Sequence, residues 1–271
     1  MKSDLNLYIS TCPNDTFVCH GLINSKIDAG DFNLIPHYFD IKQLNEIALS
    51  GQADIIKVSV AILPEVCHQY KILSSGAALG FDCGPLVVSK PSKNVLTNDS
   101  IVAIPGSNTT AFRLFKRYFG DSFQFVEMLF SEIEEAVVSE KVDAGLIIHE
   151  NRFTFQSKGL IEISDLGKKW HQETLFPLPL GCFLVNKKID EDTVLMIDSV
   201  LTRSVLYAYD NLQEVMDFVM KHAQTMDFSV AQKHIDLYVN EESKRISAQG
   251  KQAIRLLLGD NFSEKKCNFV R

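Results

Sequence analysis

Short apolar runs alternate with amphipathic stretches along most of the chain, the pattern of an α/β protein. Residues 5–10 (LNLYIS) alternate apolar and polar positions and predict a strand. The turn CPNDT at 12–16 follows, and Asn14 or Asp15 is expected to cap a helix through Phe17, His20 and Leu22. Residues 33–39 predict a second strand, weakened by Pro36. Leu44, Ile47 and Ala48 share a face of a helix over 42–50, and Gly51 suits its end. A short strand is predicted over 54–58, a helix over 60–70 and a strand over 84–89.

The polar stretch 90–99 breaks the composition, and a new βα unit opens at 101–104. Its helix carries Phe112, Phe115 and Phe119 and stops at Gly120. After a strand at 123–128, Ser131 and Glu134 have the spacing of a capping box before a helix through Val138. The apolar strand 143–148 ends at His149, and a loop leads to a strand over 180–186. From 193 onward the period is helical, with further helices over 229–239 and 243–258. The layout predicts two α/β lobes: 1–89 together with 180–271, and an inserted lobe over 90–179. Ligands in such folds bind in a cleft where strand ends and helix starts converge.

Hydrophobic residues make up 46% of the 271, enough for a core, and the net charge of -7 offers no basic patch for nucleic acid or an anionic membrane. The N-terminus lacks an apolar signal-like region, and the six cysteines form no CxxC pair, so reduced thiols in the cytoplasm are expected.

Three segments combine a strand end with a polar turn opening a helix: CPNDT at 12–16, KVS at 57–59 and GSNTTA at 106–111. Helix starts attract anions, because their first N–H groups lack partners and the helix dipole is positive there. Any one turn alone reads as a plain cap; all three together suggest a carboxylate or phosphate clamp that includes Asn14 and Asp15. GSNTT lacks the spacing and lysine of a phosphate-binding P-loop. Lys57 follows an apolar strand and wants a counter-charge, either a bound carboxylate or Asp54 or Glu65. His149 is the sharpest single residue: an imidazole at a strand end exchanges protons near neutral pH. The other histidines read as structural, although His20 and His171 could line the cleft. Phe153 and Phe155 are core residues or stack on a planar ligand. No nucleophile elbow, zinc-binding HExxH or dinucleotide loop is present.

Taken together, CPNDT, KVS, GSNTTA and GLIIHENRFTF at 145–155 resemble the 1,4-dihydroxy-6-naphthoate synthase family of the futalosine route to menaquinone. The resemblance covers roughly the first two-thirds of the chain. It implies a two-lobed fold like the type 2 periplasmic binding proteins, with a central cleft. It implies a carbon–carbon lyase that cleaves cyclic dehypoxanthinyl futalosine to 1,4-dihydroxy-6-naphthoate and a three-carbon fragment, dihydroxyacetone. The family's proton acceptor falls on His149, and its substrate contacts fall on Lys57, Val58, Ser59, Thr109 and Thr110. No metal or organic cofactor is expected, the partner is a small carboxylate substrate, and the chain is expected to be a monomer or homodimer. The competing expectations are a chorismate dehydratase of the same pathway, a non-catalytic solute-binding protein, and a ligand sensor.

Overall fold

The computed structural model describes residues 3–223, 227–263 and 267–270. Apolar runs became strands and amphipathic runs became helices. In chain order β1 (Ser3–Ile9), α1 (Pro13–Ile23), β2 (Phe32–Tyr38), α2 (Ile41–Ser50), β3 (Ile55–Ser59), α3 (Leu63–Val66), β4 (Tyr70–Ile72) and β5 (Ala78–Gly80) come first. Then follow β6 (Leu86–Ser89), β7 (Ile101–Ile104), α4 (Thr110–Phe119), β8 (Gln124–Glu127), α5 (Phe130–Val138), β9 (Ala144–Ile147), β10 (Ile161–Asp165) and α6 (Leu166–Thr174). The chain closes with β11 (Leu178–Asn186), α7 (Glu191–Asp210), α8 (Leu212–His222), α9 (Phe228–Tyr238), α10 (Glu241–Lys244) and α11 (Ala248–Leu258).

Two compact units result, one made of Met1–Leu79 with Pro179–Arg271, the other of Gly80–Leu178. The first unit's sheet runs β2-β1-β3-β11-β4, with β5 paired to β11. Pro36 is accommodated because β2 is the edge strand, where a missing N–H costs no ladder bond. The second unit's sheet runs β10-β6-β9-β7-β8. Strand β6, which the pattern alone put with the first lobe, pairs with β9 and β10 in this second sheet.

Helix α1 is buried along nearly its whole length, from Pro13 to Leu22. Phe17 and Val18 join Ile9, Ile55, Phe183, Ile197 and Leu201 in the first unit's core. The second core gathers Leu86, Val88, Ile133, Val137, Ile147 and Phe155. Each such side chain contributes about 1.5–3 kcal/mol on leaving water. Trp170 is fully buried and its indole N–H donates to the Pro177 carbonyl at 3.1 Å, so its polar edge is not stranded.

Several sequence expectations need correction. The helix predicted over 60–70 is a 3-10 turn and the four-residue α3, because the chain must turn at once into β4. The loop expected before 180 contains β10 and α6, which the mixed polar composition hid; His171 lies on α6 rather than in a loop. The long C-terminal period is cut at Asn211, and Ser247 caps α11 inside the helix predicted over 243–258. The expected capping box fails: α5 starts at Phe130 with Leu129 at the cap position and no side-chain capping bond. Cys67 and Cys267 form a disulfide, with Cα atoms 4.7 Å apart, where reduced thiols were expected. Their approach follows from the C-terminal tail, which runs beside β4: Ile72 N–H donates to Asn268 O and Val270 N–H to Ile72 O. No helix among the described residues is long and apolar enough to cross a membrane.

Candidate functional site

A buried helix that carries Asn14, Asp15, Thr16 and His20 must satisfy each polar group internally or lose stability. Cys12, not Asn14 or Asp15, holds the cap position, and Pro13 opens the helix, where its missing N–H is harmless. Asp15 lies in the first turn, where the helix dipole favours a carboxylate. One oxygen accepts from Ser10 Oγ at 2.7 Å; the other accepts from Asn14 Nδ2 at 2.8 Å. That second oxygen also lies 2.8 Å from Lys57 Nζ, in an ion pair only 4% exposed on either side. Lys57 further donates to Gly76 O at 2.9 Å and lies over the Phe183 ring at 4.7 Å. The counter-charge of Lys57 is therefore Asp15. Asp54 instead accepts from the backbone N–H and side-chain amide of Asn6.

The charge pair reaches its neighbours. Burial, with the Asp15 carboxylate adding to it and Lys57 opposing, pushes the Cys19 thiol far above its usual range. Burial likewise pushes Cys182 up to about 12. Neither sulfur supplies a thiolate at neutral pH.

Val58 and Ser59 complete β3. Val58 is fully buried opposite Cys182. Ser59 is gripped twice by Asn45 of α2: its N–H donates to Asn45 Oδ1 at 2.9 Å and its Oγ accepts from Asn45 Nδ2 at 3.0 Å. His20 is buried within the first unit, stacked against Tyr207 and edge-on to Phe218, with Glu214 3.8 Å away. Burial lowers its pKa; Glu214 raises it by less and Lys26 adds to the lowering.

In the second unit, Thr109 caps α4. Its hydroxyl accepts from Phe112 N–H at 3.2 Å and donates to Gly106 O at 2.8 Å. Thr110 opens that helix and is 3% exposed. Of the three polar turns, this is the one that opens a helix of ten residues with a side-chain cap.

His149 follows β9 and begins a 3-10 turn over His149–Phe153. Its φ is +57, left-handed backbone that costs a non-glycine residue about 1–2 kcal/mol. The surroundings hold the turn. Arg152 donates to Gly84 O at 2.7 Å and to Asp165 Oδ2 at 2.9 Å. Asp165 uses its other oxygen to cap α6 through Gly167 and Lys168. Gly167 is required there, since a Cβ would lie 2.0 Å from the Cys83 carbonyl carbon. The His149 ring meets Phe130 edge-on at 4.7 Å between centroids. Glu150 is buried, and Phe155 belongs to the core rather than to a ligand platform.

Sequence reasoning missed Ser10, Asn45, Phe130 and Asp165. Ser10 bonds Asp15 only five residues on, inside a turn that read as a plain cap, whereas Asp165 lay in a segment read as loop and Asn45 meets Ser59 from another element.

Comparison with known proteins adds the lineage. A family model described as menaquinone biosynthesis matches residues 5–260. A 1,4-dihydroxy-6-naphthoate synthase of Streptomyces coelicolor is 39% identical over 264 residues, covering 95% of this chain and 93% of the relative. One of Thermus thermophilus is 37% identical over 256 residues, covering 94% and 93%. Among solved structures, a protein from Archaeoglobus fulgidus aligns with TM-score 0.88 at 29% identity, covering 94% of this chain and 95% of that one. A Candida albicans protein with the generic periplasmic binding protein fold aligns with TM-score 0.68 at 11% identity, covering 98% and 93%. That second likeness speaks to the fold alone, which is the α/β periplasmic-binding-protein type. With its family match over 256 positions and two relatives above one-third identity, this chain belongs to the menaquinone biosynthesis family.

Proposed function

We propose that this protein is a 1,4-dihydroxy-6-naphthoate synthase: a carbon–carbon lyase that converts cyclic dehypoxanthinyl futalosine to 1,4-dihydroxy-6-naphthoate and dihydroxyacetone. The observation that carries the reading is His149, an imidazole held at the end of a buried strand in left-handed backbone, in a chain whose named relatives are synthases. Strained backbone that several partners over-determine is a mark of a working group.

In this reading His149 accepts the substrate proton whose loss leads to cleavage. Imidazole suits the step because its ordinary pKa lies near neutrality. Formation of an aromatic product supplies much of the driving force, so one oriented base and fixed dipoles suffice. The start of α4 at Thr109 and Thr110 binds the carboxylate, using the positive end of a ten-residue helix. In the first unit, Lys57, Val58, Ser59, Asn14 and Asp15 shape the remaining contacts. Lys57 acts there chiefly by fixing Asp15 and the α1 start, since its charge is already matched. A cytoplasmic location and a monomer or homodimer belong to the same proposal.

The test is turnover of cyclic dehypoxanthinyl futalosine by the purified protein, followed by naphthoate absorbance and mass. Product formation supports the reading. Tight binding without turnover would replace it with a solute-binding role, which the fold permits. Absence of both would turn attention to chorismate.

A further inference from the structure

Helix α5 touches the His149 turn at two points one helical turn apart. Phe130 meets the imidazole. Four residues on, and so on the same face, Glu134 accepts from Asn151 Nδ2 at 2.5 Å and from Lys158 Nζ at 2.6 Å. Gly145 of β9 lets the helix lie this close: a Cβ there would sit 2.5 Å from Ile133 and 2.9 Å from Val137. Glu134 is 1% exposed. A buried carboxylate is costly unless it is paired and hydrogen-bonded. Its spacing after Ser131 suggested a helix cap, but α5 begins elsewhere and the side chain is turned to Asn151 instead.

We propose that Glu134, acting through Asn151, is a positioning residue for His149. Asn151 lies two residues beyond His149 in the same 3-10 turn. The turn is thus clamped from α5 by Glu134 and from the α6 side by Asp165 through Arg152. Two clamps on opposite partners hold a left-handed residue that would otherwise relax to right-handed backbone and swing its ring off Phe130. The proposal rests on the reading of His149 as proton acceptor, so its test follows the ring and the turnover separately.

Protein labelled with 13C at histidine is prepared as wild type, Asn151→Ala and Glu134→Gln. The His149 ring signal is assigned by its loss in His149→Asn. In the wild type the Phe130 ring displaces that signal from the position of a solvated histidine. Asn151→Ala, a change at a half-buried site, should move it back. It should also lower kcat by about 10–100-fold with KM within roughly twofold, the scale of a small misplacement of a reacting group. Glu134→Gln keeps an acceptor for Asn151 and should fall between; if it fails to fold, Asn151→Ala carries the test. An unmoved signal in folded Asn151→Ala, whatever its kcat, overturns the proposal. A moved signal with unchanged kcat upholds the positioning and overturns the role of His149 as base.

Discussion

Two strand ends in this molecule handle polar groups in opposite ways. At the end of β3 everything is matched: Lys57 with Asp15 and Gly76, Ser59 with Asn45, Asp15 with Ser10 and Asn14. The backbone there is ordinary and the charges cancel. At the end of β9 the backbone is left-handed, and the clamps grip the neighbours of His149, Asn151 and Arg152, through side chains. The first arrangement stabilises; the second holds the proposed base at a cost in conformational energy. A satisfied buried network is a scaffold, whereas a strained residue with supported flanks is a candidate for chemistry.

The widest separation between the two regions should come from His149→Asn. Turnover should fall by about 10²–10⁴-fold, the range of a lost general base. Product binding and melting temperature should hold, because asparagine accepts left-handed backbone. Unimpaired turnover in both this variant and His149→Ala would end the distinction.

Asp15→Asn should act the other way, on stability. Breaking a buried ion pair by removing one partner costs about 3–5 kcal/mol, read by urea unfolding. The double variant Asp15→Asn with Lys57→Met should recover a large part of that loss. Lys57→Ala alone is expected to raise apparent KM, and an unchanged KM would leave Lys57 a purely internal role.

Thr109→Val tests a third polar turn, whose hydroxyl is satisfied like the groups of the first region and whose helix start is the proposed carboxylate site. Loss of the cap should cost about 1 kcal/mol of stability. A rise in KM beyond that, with kcat kept, would mark the α4 start as the carboxylate site.

The smallest effect is expected at His20. Its folded pKa lies below the usual 6.5, so below that pH the unfolded chain binds the extra proton first. Stability should therefore decline as pH falls through 6.5, and His20→Phe should flatten that part of a melting-temperature profile. Glu214 and Lys26, the charged groups facing the ring, should be kept intact in the comparison.

The βα alternation was legible because buried strands such as 55–59 and 144–147 are short runs of mainly apolar residues. His149 was legible because it interrupts such a run at its end. What local pattern could not carry was partnership at a distance. Asp15 lies 42 positions before Lys57 and Cys267 lies 200 after Cys67. Glu134 fits a capping spacing so well that its tertiary partner, 17 residues on, was hidden behind it. Very short strands such as β4 and β5 lack the length to declare a period.

The left-handed residue also has an evolutionary consequence. For the fold alone, asparagine or glycine would serve better at position 149, since both accept that backbone more readily. Selection for foldedness then pulls the codon away from histidine, and under the proposed function selection for turnover is what holds it there. In a lineage freed from needing the product, this position should be among the early ones to drift, while Asp15 and Lys57 persist as a pair for as long as the domain folds.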